Sequence, residues 1–496
     1  MGRGDVIAGI SIAFVLIPQA LAYAELAGLP AYVGLYAAAL PPLAASFFAS
    51  SRYLQTGPVA MTSLLTFGAL SPLATAESPE WVNLAALLAL VVGVARIGLG
   101  LARAGVFAYF MSQPILLGFT SAAAILIISS QLPTSLGVER QADGLLAGAW
   151  SALAHPGGWE AGAVILSVAT IVLVLGGRRL HQLFPGVLVA VIIGLAYSSL
   201  SEYRGSTVGT VPSGFIPFSL DLPWGSLGSL LIPGAIIALV GFAEPASIAR
   251  TFAAQDRERW SPSRELISQG VANLAAGISG GFPVGGSFSR SSVARLAGAR
   301  SRWAGAVTGL TVLAFLPVAG ILGSLPRAVL AAIVISAVYK LIQLIELTRI
   351  FNVSRPQALI AWVTFAATLV LSPRIELGVI VGVVLGVAVH LWRELVVRVD
   401  TESIDGTLRL IPRGVLFYAS APPLNESLID QLAANPEAER LIIDLQKLGR
   451  IDYTGALALR QVVEEARQAG LQVEVVGVPA QTRKTLPPIW EEALRD

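Results

Sequence analysis

Up to Asp400 the chain is a succession of apolar runs of about 13 to 25 residues, interrupted by Pro, Gly and short charged clusters. About 20 apolar residues suffice to cross the hydrocarbon core of a bilayer as a helix. Helices also satisfy their own backbone polar groups there, where no water is present to do it. Residues 1–399 therefore read as an α-helical polytopic membrane protein. The charge density changes where the runs stop. Residues 1–399 hold 39 charged side chains and residues 400–496 hold 25, and the second density, roughly a quarter, is an ordinary soluble value. Two domains are expected, a membrane domain over 1–399 and a small soluble domain over 400–496.

Fourteen membrane segments are expected, at 5–26, 31–49, 57–71, 81–101, 111–132, 159–176, 184–200, 227–249, 263–280, 286–298, 303–323, 326–345, 356–372 and 376–397. The opening run from Val6 to Ala24 reads as the first of them rather than as a signal peptide, because Asp5 and Glu25 flank it and further runs follow at once. With the N-terminus in the cytoplasm, the inner loops and segment ends carry eighteen cations, among them Arg52, Arg96, Arg250 and Arg302. The outer ones carry four: Arg140, Arg204, Arg327 and Arg374. That asymmetry obeys the positive-inside rule and places the C-terminal domain in the cytoplasm as well. Arg290 belongs to neither side. Trp81, Trp159, Trp224, Trp303, Trp362 and Trp392 fall near segment ends and read as interfacial anchors. Gly378, Gly382 and Gly386 share one face of the last segment and read as a packing surface.

Other functional classes lack support. A net charge of +2 with dispersed arginines does not suit a nucleic-acid partner. With no cysteine and only three histidines, thiolate chemistry and the usual zinc spacings are absent, and no metal or cofactor is expected. Gly277-Ile278-Ser279-Gly280-Gly281 matches G-x-S-x-G literally. An apolar helical run precedes it, whereas a nucleophile elbow needs a strand, so no hydrolase is expected. No P-loop lysine pattern occurs, which leaves ion gradients or exchange to drive any transport.

Two segments break the span rule. The third follows Thr56-Gly57-Pro58, and the tenth follows Phe282-Pro283-Val284-Gly285-Gly286. At about 13 residues each they reach roughly 20 Å, short of a 30 Å core. They are the third of the first seven segments and the third of the second seven, which is how an inverted repeat with paired discontinuous helices reads. Helices that begin at mid-membrane aim free N–H groups and partial positive charge at the space between them. That space suits an anion. Gly286-Ser287-Phe288-Ser289-Arg290 adds hydroxyls and a guanidinium to the same end. An intramembrane arginine is functional by default unless a carboxylate pairs with it, and Glu25 in the first segment and Glu244 in the eighth are the candidates.

These residues resemble a known family. Ile17-Pro18-Gln19-Ala20-Leu21-Ala22-Tyr23-Ala24, Leu26-Ala27-Gly28-Leu29-Pro30, Gly34-Leu35-Tyr36, Pro41-Pro42, Ser50-Ser51-Arg52 and Gly57-Pro58 closely resemble the opening signature of SulP anion transporters. Glu244-Pro245-Ala246-Ser247-Ile248-Ala249-Arg250 and Gly286 to Ser291 are similar to that family's eighth and tenth helices. The resemblance implies a seven-plus-seven inverted repeat with core and gate domains, an anion held between helices three and ten, and a homodimer. It leads to a substrate site of Gln19, Tyr23, Gly57, Pro58, Gly286, Ser287, Phe288, Ser289 and Arg290, with Glu25 or Glu244 coupling a proton or tuning the site.

Residues 408–411, 415–419, 441–445 and 472–478 read as strands and 453–468 as a helix, an α/β domain. Leu441-Ile442-Ile443-Asp444-Leu445 and Ile451-Asp452-Tyr453-Thr454-Gly455-Ala456 resemble a STAS domain. Its relatives carry a phosphorylatable hydroxyl just before the glycine, which maps onto Thr454. A plain helix cap at Asp452 or Thr454 is the simpler role. A cytoplasmic partner of this domain follows if it is regulatory. The expected function is proton-coupled secondary transport of a small anion such as sulfate, bicarbonate or a C4-dicarboxylate like fumarate, in a bacterial inner membrane. The alternatives are an anion exchanger or channel, or a nucleobase symporter of the same architecture.

Overall fold

The computed structural model describes residues 2–104, 112–181, 183–201, 203–218, 221–395, 398–404, 406–417 and 421–478. The first eight helices are α1 (Arg3–Leu26), α2 (Val33–Phe48), α3 (Ala60–Leu70), α4 (Pro79–Leu101), α5 (Gln113–Leu136), α6 (Leu145–Ala154), α7 (Ala161–Leu180) and α8 (Gly186–Leu200). The next eight are α9 (Leu227–Asp256), α10 (Pro262–Ile278), α11 (Phe288–Leu296), α12 (Trp303–Phe315), α13 (Arg327–Val338), α14 (Leu344–Val353), α15 (Arg355–Val370) and α16 (Ile375–Leu395). Strands β1 (Gln55–Gly57) and β2 (Gly285–Ser287) precede α3 and α11.

Each of the fourteen expected segments overlaps a helix, and two further helices are present: α6, which lies between expected segments, and α14, which shares only its first two residues with the segment expected over 326–345. Both have ten residues, about 15 Å and too short to cross a bilayer. The segment expected over 326–345 ends early because α13 gives way to a 3-10 turn at Tyr339–Leu341 before α14 begins. The two extra helices follow the fifth segment of the first seven and the fifth of the second seven, so they too obey the repeat. By length and apolar composition alone, seven of the described helices could cross a membrane.

The helices form two bundles. In one, α4 packs on α10 and α9, α2 on α10 and α12, and α1 on α2 and α12. In the other, α5 packs on α13 and α15, α13 on α7, and α7 on α8. These correspond to the core and gate domains. Glycines set the closest approaches. A Cβ on Gly93 of α4 would stand 2.8 Å from the Leu274 nitrogen and 2.9 Å from the Gly270 oxygen of α10, so these two helices touch backbone to backbone. Gly378 and Gly382 of α16 bear on Thr368 and Thr364 of α15, where a Cβ would come within 2.4 and 2.3 Å of the hydroxyls. That is the expected packing face.

Two expectations are corrected. Trp81 is 1% exposed rather than interfacial. Its indole N–H donates to the Ala27 carbonyl just past the end of α1, at 3.0 Å, which lets the ring be buried without losing a hydrogen bond. Arg96 is not a charge at a segment end facing the cytoplasm. It is fully buried, so Arg290 is not alone among the membrane-domain arginines in lying away from both surfaces.

The chain divides into two compact units, Met1–Val383 and Val384–Asp496. The second contains β3 (Arg398–Ile404), β4 (Thr407–Leu416), α17 (Ala421–Ala434), β5 (Arg440–Asp444), β6 (Leu448–Ile451), α18 (Tyr453–Gln468) and β7 (Gln472–Val476). The strand order is β3-β4-β5-β7 with β6 on β4, and only β3 and β4 run antiparallel. The two strands expected over 408–419 are one strand, β4, with a register shift between Gly414 and Val415; residues 418 and 419 lie outside the described ones. Leu459, Val462, Val463 and Ala466 recur at helical spacing and bury one face of α18 with Leu408, Leu441 and Ile443 of the sheet.

Asp444, at the end of β5, holds this sheet to its loops. Burial pushes its carboxyl up, but the Gln446 N–H and the Arg409 guanidinium, at 2.9 and 2.6 Å, outweigh burial and keep it below the usual carboxylate range. Its contribution is therefore present above the unfolded carboxylate pKa of about 3.9 and is lost as pH falls through the lower folded value. Asp444→Asn is expected to cost about 1–3 kcal/mol and to flatten the acid limb of stability. Amide hydrogen exchange in β5 and β7 of the full-length protein, corrected for intrinsic rates, measures both effects.

Candidate functional site

The site begins with a problem of backbone satisfaction. Two chain breaks inside an apolar bundle expose N–H and C=O groups that water cannot reach. The breaks satisfy each other. β1 and β2 pair antiparallel with Gln55 opposite Ser287, Thr56 opposite Gly286 and Gly57 opposite Gly285. The expected starts at residues 57 and 286 therefore belong to strands, and the helices begin later, at Ala60 and Phe288. Gly57 has φ +155, a backbone conformation that L side chains rarely adopt. Pro58 follows and has no N–H to give to a ladder.

Side chains from α10 and α11 fix the crossing. Ser291 Oγ accepts from the Gln55 N–H at 2.9 Å and donates to the Ser287 carbonyl at 2.7 Å. Gln269 Nε2 donates to Thr56 Oγ1 at 2.7 Å, and Asn273 takes the Val284 N–H on Oδ1 at 3.0 Å while donating Nδ2 to the Val284 carbonyl at 3.1 Å. Sequence reasoning missed these. The available signal was the run of polar residues Glu265, Ser268, Gln269 and Asn273 at helical spacing in an apolar segment, all of them buried.

α3 and α11 begin just beyond the crossing, at Ala60 and Phe288. Ser287 caps α11, with its Oγ 3.5 Å from the Arg290 N–H and 3.4 Å from Ser289 Oγ. α3 has no side-chain cap, so its first amides are free of one. Arg290 is 1% exposed. Its Nη1 donates to Gln19 Oε1 at 3.3 Å, while Nε and Nη2 are buried without a hydrogen-bond partner. A Cβ on Gly57 would lie 3.5 Å from Nη2, so the guanidinium rests against β1. Tyr23 and Glu244 are near enough to act on it electrostatically. No carboxylate forms an ion pair with it among the described residues.

The structure thus gathers Gln19, Tyr23, Gly57, Gly286, Ser287, Ser289 and Arg290, with Pro58 leading from β1 toward α3. Two expected residues stand apart. Phe288 is 54% exposed and stacks on Phe252 of α9, with centroids 6.1 Å apart. Glu25 lies 3.0 Å from Arg327 of α13, which also reaches Glu77 at 3.9 Å. The reason is helical phase: α1 continues as one helix through Pro18 to Leu26, so residue 25 projects well round from residues 19 and 23. Glu25 and Arg327 line a cavity of about 290 Å³ with Glu77, Gln131 and Arg140. At the other end of α1, Ser289 faces a cavity of about 460 Å³ between α1, α8 and α11, bordered by Ser11, Phe14, Phe184 and Val293. No group of three His, Cys, Asp or Glu side chains among the described residues could hold a metal ion.

An arginine with unused donors, buried at the start of a short helix in an apolar bundle, suits an anion. Comparison with known proteins gives the family. The model of the sulfate permease family matches residues 3–364 and that of the STAS domain residues 398–487. A probable sulfate transporter of Mycobacterium tuberculosis is 31% identical, over 98% of this chain and 90% of its own. Among solved structures, the murine solute carrier 26 family member A9 anion transporter, in an inward-facing state, superposes with a TM-score of 0.90 at 20% identity, over 99% of this chain and 88% of that one. The transmembrane domain of a cyanobacterial bicarbonate transporter superposes with a TM-score of 0.66 at 23% identity, over 78% of this chain and 97% of that one. The chain belongs to the sulfate permease, or SulP, family, and is an integral membrane anion transporter with a STAS domain.

Arg290→Ala is expected to reduce anion uptake into proteoliposomes by about tenfold or more, the loss of at least one charge-assisted interaction. Arg290→Lys should recover only part, because an ammonium cannot reproduce the guanidinium fork. Normal uptake by folded Arg290→Ala would place the site elsewhere.

Proposed function

We propose that the protein is a secondary active, proton-coupled symporter of a small anion, working by alternating access. The observation that carries this reading is the pair of unpartnered, buried donors of Arg290 beside the first turns of α3 and α11. Charge-assisted hydrogen bonds to an oxyanion would satisfy Nε and Nη2 together, with Gln19, Tyr23, Ser287 and Ser289 offering further polar contacts. Sulfate, bicarbonate and a C4-dicarboxylate such as fumarate all present paired oxygens. The names of the relatives favour the first two, and a competition assay decides: excess sulfate, bicarbonate or fumarate should suppress tracer uptake, whereas uracil should not. Suppression by uracil alone would support a nucleobase symporter instead.

In the proposed topology both termini face the cytoplasm of a bacterial cell and the transporter is a homodimer. The 460 Å³ cavity then opens inward, and the Glu25–Arg327 pair closes the opposite end by tying α1 of the core bundle to α13 of the gate bundle. A proton on Glu25 would remove its attraction for Arg327 and let the two bundles part, which ties proton entry to opening. Glu244, near the anion, would tune affinity. In the STAS unit, Asp452 caps α18 by accepting from the Gly455 N–H at 2.7 Å, leaving exposed Thr454 in the first turn as a position where phosphorylation could regulate a partner.

Glu25→Gln is expected to abolish substrate-dependent proton movement and concentrative uptake under an imposed proton gradient, while anion binding changes less than about threefold because the carboxylate does not touch the anion. A pH-sensitive dye trapped in proteoliposomes, with tracer uptake alongside, reads both. Unchanged pH dependence would reject coupling through this residue.

A further inference from the structure

We propose that Arg96 of α4 is the positioning residue of the anion site, acting through the chain break that precedes α11. Its side chain is fully buried and has three directed bonds: Nη1 to the Val284 carbonyl at 2.9 Å, Nε to the Ala238 carbonyl at 3.1 Å and Nη2 to the Ile237 carbonyl at 3.3 Å. All three acceptors are neutral backbone oxygens. An arginine buried only to hold charge would be expected beside a carboxylate; this one is used as a three-pronged bracket. The planar guanidinium suits that task because its donors are fixed in different directions. Gly241, one turn beyond Ile237, leaves it room, since a Cβ there would lie 2.6 Å from Nη2.

The bracket joins the two segments that deliver the ionisable groups of the site. Val284 immediately precedes β2, and Arg290 lies six residues on; Ala238 precedes Glu244 by six residues on α9. Val284 is gripped a second time by Asn273 of α10, and α10 is locked against α4 backbone to backbone. Nothing between Arg96 and Arg290 is a flexible linker. Removing the bracket leaves the Val284 carbonyl with Asn273 Nδ2 as its remaining side-chain donor, and uncouples the chain leading into β2 and α11 from α4 and α9.

The assignment rests on the reading that α11 and Arg290 hold the anion, so its test has one arm that does not involve an anion. The chain has no cysteine, which makes Val293→Cys, on the cavity wall one turn beyond Ser289, a unique label site on α11. Its modification rate by a membrane-impermeant thiol reagent is measured in purified protein for Arg96, Arg96→Lys and Arg96→Met. A shift of about threefold or more in both variants is expected, and no shift for Ser199→Cys on α8. Sulfate, bicarbonate and fumarate affinity, from the thermal shift each produces, should fall about tenfold or more in Arg96→Met and less in Arg96→Lys, the usual penalty for a displaced binding group. If Arg96→Met does not fold, Arg96→Lys carries the test alone. Unchanged labelling at position 293 in a folded variant would overturn the proposal. Altered labelling with unaltered affinity would leave Arg96 positioning α11 and refute the reading that α11 holds the anion.

Discussion

The three-residue pairing of β1 with β2 is the contact on which the membrane unit depends. Two half-helices can start in the middle of an apolar bundle only if the chain leading into each finds hydrogen bonds there, and each break supplies them to the other. Everything that follows is a consequence of that exchange. The strands bring Gly57 beside the Arg290 guanidinium, Ser291 and Gln269 stitch the ladder to its neighbours, and α3 and α11 both begin within three residues of it. The positive potential of the site therefore comes from the fold as well as from one arginine.

Much of this was legible in the sequence because the relevant signals are local. Apolar runs, Gly-Pro punctuation and an arginine in an apolar segment each report directly on a physical cost, so the helices, the two short segments and the hydroxyls beside Arg290 could be anticipated, whereas Gln19 and Tyr23 were placed with them by the resemblance to SulP transporters. What could not be read depends on direction. Arg96 sits a few residues from the end of a span, where a side chain reaching outward and one reaching inward look identical in sequence, and its acceptors at residues 237, 238 and 284 are remote. Glu25 was expected to couple a proton or tune the site, and an unbroken α1 turns it to Arg327. Trp81 resembled an anchor until the Ala27 carbonyl supplied its indole with a buried acceptor. The strands at residues 55–57 and 285–287 are too short for any periodicity to show.

The two bundles differ in how they are held. In the core bundle, α4 and α10 meet with glycine against backbone and the break before α11 is gripped from both of these helices; so closely packed a body has little internal freedom. Between the bundles the described charged links both run through Arg327, to Glu25 at 3.0 Å and to Glu77 at 3.9 Å, and its Nε–H is poorly aimed at the Glu25 carboxylate oxygen. A tightly packed interior and a seam with few charged links are what the alternating access proposed above would require.

The two ten-residue helices that the repeat duplicates, α6 and α14, carry their largest apolar side chains outward: Trp150 and Leu153 on one, Ile345, Phe351 and Val353 on the other. Both follow helices of the gate bundle, and the proposed topology puts one at each face of the bilayer. Wedges of this kind resist being drawn through the headgroup layer, because displacement either way would expose one set to water. The lipid itself then supplies a frame of reference, fixing the depth at which these two short helices rest.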